Sequence, residues 1–124
     1  VFVLGALDAD RLCPIFAYPL AGGAPRRLMR IHGPGGEVPM GLPFALRLDR
    51  DSVYFLQSGA SNAVFNTTPT LYRIGKSALD GDPSAVFSAS SLGPPRFDAS
   101  SIYVSYERGG LTAPIEGVIA RLPK

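Results

Sequence analysis

Apolar residues along the chain come in short runs, such as Val1-Phe2-Val3-Leu4, Phe16-Ala17-Tyr18, Val53-Tyr54-Phe55-Leu56 and Ile102-Tyr103-Val104, broken by Gly, Pro, Asp and Ser. No segment repeats its apolar positions with a helical period, whereas short β-branched and aromatic runs between turn residues are the signature of strands. The prediction is an all-β chain. Many of the runs are apolar at consecutive positions, as at residues 53–56, instead of alternating. A sheet with one wet face alternates, while a strand covered on both faces needs apolar side chains on both. The pattern therefore predicts sheets with neighbours on either side, and leaves a two-layer sandwich as the rival architecture.

The runs repeat. Val1-Phe2-Val3, Val53-Tyr54-Phe55 and Ile102-Tyr103-Val104 each open with a β-branched residue followed by an aromatic, at spacings of 52 and 49 residues. Tyr72-Arg73-Ile74-Gly75-Lys76 and Ala120-Arg121-Leu122-Pro123-Lys124 share the order Arg, aliphatic, Gly or Pro, Lys at a spacing of 48, and Phe16-Ala17-Tyr18-Pro19-Leu20 holds the same place earlier. Leu20-Ala21-Gly22-Gly23 and Leu79-Asp80-Gly81-Asp82 precede the short strands Arg27-Leu28-Met29 and Ala85-Val86-Phe87. Gly-Gly and Asp-Gly suit tight hairpins because they tolerate positive φ. Leu48-Asp49 and Phe97-Asp98 each close a strand before a short turn. Such an aspartate can accept hydrogen bonds from the turn's amides, which is the role assigned to both in preference to acid catalysis.

Four strands per repeat of about 50 residues describe a propeller blade. The expected fold is a partial β-propeller of about two and a half four-stranded antiparallel blades with some ten strands. Residues 1–31 are expected to hold strands two to four of one blade, 32–92 a leading loop and a full blade, and 93–124 strands one to three of the next. On Leu48-Asp49, Val53-Tyr54-Phe55, Tyr72-Arg73-Ile74, Leu79-Asp80-Gly81, Phe97-Asp98, Ile102-Tyr103-Val104 and Ala120-Arg121-Leu122-Pro123, the chain resembles bacterial six-bladed propellers of the TolB-like and YWTD-like kind. It departs from YWTD repeats in having no Trp and no Thr-Asp after the aromatic strand. The resemblance implies a ring of roughly 300 residues, completed by further blades of the same or another chain, and an extracellular, periplasmic or cell-envelope setting.

Composition adds limits. The 124 residues are 46% apolar and 18% charged, which is globular, and Gly 14 with Pro 12 fits a turn-rich β chain. The net charge of +2 is spread out, with Arg26, Arg27 and Arg30 the one local basic cluster, read as a solvated strand edge. No dense basic stripe interleaved with aromatics supports nucleic-acid binding. Cys13 stands alone, so neither an internal disulfide nor a multi-cysteine zinc site is expected. No apolar run is long enough for a membrane span. The chain opens inside an apparent strand with no signal-peptide pattern, so the expectation is a fragment or a processed polypeptide. Two exposed apolar blade faces would in either case make the isolated chain a poor monomer.

Candidate chemistry is sparse. His32 is the one histidine, with Glu37 nearby, and no Gly-x-Ser-x-Gly elbow is present. The run Gly33-Pro34-Gly35-Gly36 lacks the Lys-Ser/Thr of a phosphate loop. Asp80-Gly81-Asp82 lacks the further carboxylates of a calcium loop, and Asn66-Thr67-Thr68 matches a glycosylation sequon. No catalytic residue, metal or cofactor is assigned. Two longer connections, residues 58–70 and 107–117, are each expected to join the second and third strands of a blade and to emerge on one face. Long loops on a rigid scaffold commonly carry binding. The candidate binding residues are Asn62, Val64, Phe65 and Asn66 in the first, and Arg108 and Leu111 in the second. The expected function is a non-enzymatic binding or structural module with a protein or glycan ligand. The alternatives are part of a lyase or hydrolase whose catalytic residues lie in other blades, and a self-assembling subunit that shares blades between copies.

Overall fold

The computed structural model describes residues 1–4, 14–29, 43–58, 68–79, 81–110 and 113–124. All regular structure among them is β, in ten strands: β1 (Phe2–Leu4), β2 (Ile15–Ala17), β3 (Arg26–Met29), β4 (Pro43–Leu48), β5 (Ser52–Ser58), β6 (Pro69–Gly75), β7 (Ser84–Ser88), β8 (Arg96–Phe97), β9 (Ser101–Gly110) and β10 (Ala113–Pro123). They form three antiparallel sheets ordered β1-β2-β3, β4-β5-β6-β7 and β8-β9-β10. Each sheet is a meander in which neighbours in sequence are neighbours in space, the usual outcome of short connections. None of the sheets closes on itself. The all-β expectation therefore holds.

The register explains the consecutive apolar runs. Within β5, Val53 and Phe55 point to one face and Tyr54 and Leu56 to the other, because side chains alternate along a strand. Val53 and Phe55, with Ile74 of β6, pack against Ile15, Leu28 and Met29 of the first sheet. Tyr54 and Leu56, with Leu71, pack against Ile102 and Val104 of the third. The middle sheet is thus covered on both faces, and these four β5 side chains are buried. At about 25 cal/mol per Å² of apolar surface, burial of side chains of this size is the main term favouring the three-layer stack. Aromatic pairs add shape to it: Phe55 stacks on Tyr72 at 5.5 Å between ring centroids, and Tyr54 meets Phe97 of the third sheet at 4.8 Å.

Bulges interrupt the ladders in β4, between Phe44 and Arg47, and in the β2–β3 and β6–β7 pairs. Ala45 takes φ +51° inside the β4 irregularity. Extra residues of this kind bend a strand and raise its twist, which suits curved sheets that stack.

Candidate functional site

Each of the two strand-end aspartates opens the same backbone turn. The amide of Asp49 donates to the Ser52 carbonyl at 3.0 Å, and that of Asp98 to the Ser101 carbonyl at 3.1 Å. At Asp98 the side chain behaves as the sequence predicts: Oδ1 accepts from the amides of Ser100 and Ser101 at 2.8 and 2.7 Å. Its Oδ2 accepts from the Tyr103 hydroxyl at 2.7 Å. The Tyr103 hydrogen bond first, then the Ser100 amide, hold the carboxyl down at about 2. Both oxygens of this carboxylate are hydrogen-bonded, which favours its charged form.

Asp49 is used differently. Its Oδ1 accepts from Lys124 Nζ at 3.0 Å, a partly buried ion pair joining the second sheet to the third. That hydrogen bond is the largest cause of its lowered pKa, followed by the Arg50 amide. Lys124 also donates to the Asp98 carbonyl and lies 5.5 Å from the Phe97 ring centroid. Lys76, 48 residues earlier, has a matching place: it donates to the carbonyls of Asp49 and Arg50 and sits over Phe2 of the first sheet. Sequence reasoning registered the two lysines as a repeated pattern but assigned them no role. Each lysine caps the carbonyls of its own sheet's first turn and reaches the sheet before it.

Arg26 also crosses between sheets, donating to the carbonyls of Lys76 and Ser77. Arg26 is exposed, in keeping with a solvated strand edge, and the cross-sheet bonds add to that reading. β3 is an edge strand, yet this guanidinium satisfies backbone acceptors of the next sheet.

The second candidate connection is corrected. Residues 107–110 and 113–117 belong to β9 and β10, whose ladder runs from Ser101↔Pro123 out to Gly110↔Ala113 with one irregularity between Ala113 and Glu116. Arg108 pairs with Glu116 directly across the strands, Nη2 to Oε2 at 3.1 Å, and both side chains are exposed. Gly109 absorbs the irregularity at φ +139°, where a Cβ would stand 2.5 Å from the Pro114 carbonyl oxygen. The glycines and proline that resemble loop residues in sequence instead permit a long irregular hairpin. Ile115 and Ile119 of β10 are each 73% exposed.

Asn62, Val64, Phe65, Asn66 and Leu111 lie outside the described residues, as do His32, Glu37, Cys13, Arg30, Asp80 and the Gly33–Gly36 run. The ends of both candidate connections lie at one end of the stack: just past β7, the Ala89 amide donates to the Pro69 carbonyl and Ser90 Oγ to the Glu107 carbonyl. Among the described residues, no group of three or more His, Cys, Asp or Glu side chains is placed to hold a metal ion. No helix among them is long and apolar enough to cross a membrane. No protein-family model, curated protein or solved structure matches the chain.

Proposed function

We propose that the chain is a run of consecutive blades from a propeller-type ring, and that it works as a non-enzymatic binding or structural module. The supporting observation is the division of β5 between two separate clusters, one shared with each flanking sheet. The first sheet leaves Val3 and the third leaves Ile115 and Ile119 exposed, so the partners of this reading are other blades that cover them. The β9–β10 hairpin, with Arg108 paired to Glu116 and Ile115 exposed beside them, is the contact element for a protein or glycan ligand. An apolar side chain beside a charged pair on an exposed strand pair is the arrangement of an anchor with a polar rim. The setting proposed is the cell envelope or the extracellular space.

The test is a panel of proteins and glycans presented to the wild-type chain and to a variant carrying Arg108→Ala, Ile115→Ala and Glu116→Ala, three exposed side chains of the hairpin. A ligand retained by the first and lost by the second, with the fold unchanged by circular dichroism, supports the hairpin. Equal binding by both, or turnover of a substrate lost with His32→Ala, overturns the reading.

A further inference from the structure

The third sheet ends, among the described residues, at β10, whose only strand partner is β9. The second sheet carries one strand more. Its β6 corresponds to β10 through Arg73 and Arg121, Ile74 and Leu122, and Lys76 and Lys124, each pair 48 residues apart. The outer edge of β6 is occupied by β7, with Leu71 opposite Phe87, Tyr72 opposite Ala85 and Arg73 opposite Ser84. The corresponding positions on β10 are Ile119, Ala120 and Arg121. A groove of about 430 Å³ lies on this sheet, lined by Leu92, Ser105, Glu107, Gly117, Val118 and Ile119.

We infer that the edge of β10, open among the described residues, is a strand-acceptor site for an extended segment of the β7 type, supplied from outside these 124 residues. The occupant is short and pairs antiparallel along Val118 to Arg121. It carries small residues opposite Ala120 and Arg121 and an aromatic opposite Ile119. The aromatic enters the groove, as Phe87 of β7 enters the second interface, where it meets Tyr106 at 5.3 Å. Main-chain hydrogen bonds along an open edge supply the affinity in such additions, and alternate side chains supply the selectivity. The inference rests on the blade reading, because the β6–β7 pair is its template.

The probe is a synthetic peptide of residues 82–90, titrated against the whole chain by fluorescence anisotropy, with amide hydrogen exchange followed in parallel. Saturable binding is expected, with slowed exchange at β10. Binding should weaken about tenfold or more when the peptide is N-methylated at one alternate set of positions, and little at the other, since only one set faces the edge. Phe87→Ala in the peptide and Ile119→Lys in the protein should each weaken it as well. Absence of binding while the amides of β5 stay protected overturns the acceptor site and leaves the stack standing. Free exchange at β5 removes the stack and the acceptor site together. A defined oligomer that protects β10 and excludes the peptide assigns the edge to a second copy and overturns the proposed occupant.

Discussion

Lys124 Nζ lies 3.0 Å from Asp49 Oδ1, joining residues 75 positions apart in the chain and two different sheets. The pair sits where the third strand of one sheet meets the first turn of the preceding sheet. Lys124 at the same time caps the Asp98 carbonyl of its own sheet. One ammonium group thus satisfies two turns and fixes the spacing between layers.

Lys124→Ala should lower stability by about 1 kcal/mol, the size of a partly buried charge-assisted hydrogen bond with its competing desolvation. Thermal unfolding measures the loss. A cycle with Asp49→Asn should show coupling, so that the double variant loses less than the two single variants together.

Asp98 makes the fold sensitive to acid. Its carboxyl titrates at about 2 in the folded chain and near 3.9 when unfolded. The unfolded state therefore binds the proton first, and the stabilisation from this group is present above about pH 4 and is lost as pH falls toward 2. Asp98→Asn should flatten the acid limb of a stability-against-pH curve, whereas Ser90→Ala should leave that limb unchanged.

Gly109→Ala should strain the β9–β10 hairpin, because its φ of +139° is open to glycine and its missing Cβ leaves room for the Pro114 carbonyl. Faster amide exchange is expected from Arg108 to Glu116, while exchange at Ile102 and Val104 stays slow. Uniform acceleration across β9 would contradict a hairpin that opens locally.

The two apolar clusters should behave as separate units. Leu28→Ala in the first and Ile102→Ala in the second should each cost about 2–5 kcal/mol, and their effects should add. Leu56→Ala combined with Ile102→Ala should not add, since both lie in the second cluster. Denaturant midpoints of the single and double variants decide this. Non-additivity between Leu28 and Ile102 would show that the middle sheet transmits strain between its faces.

Local chemistry was legible in the chain itself. Consecutive apolar residues at 53–56 announced a strand covered on both sides, because side-chain alternation forces any such strand to bury two faces. The Asp98 turn was legible for the same kind of reason: its amide partners Ser100 and Ser101 lie within three residues, a range over which sequence dictates geometry, whereas the Tyr103 hydroxyl on Oδ2 was not foreseen. The partner of Asp49 was not legible, since nothing local brings Lys124 near it. Arg26 likewise looked like a free edge charge until the stack placed the Lys76 and Ser77 carbonyls within its reach.

The β9–β10 hairpin marks the same boundary from the other side. Gly109, Gly110, Pro114 and Gly117 are loop formers by composition, yet cross-strand pairing of Arg108 with Glu116 carries the ladder through them. The sequence by itself determined that the chain is all β, where most strands run and how the Asp98 turn is held, because side-chain alternation and short-range hydrogen bonds act within a few residues. Only the tertiary structure decided the order of the layers and the lysine and arginine links between them, because these depend on contacts between segments that chain proximity does not bring together.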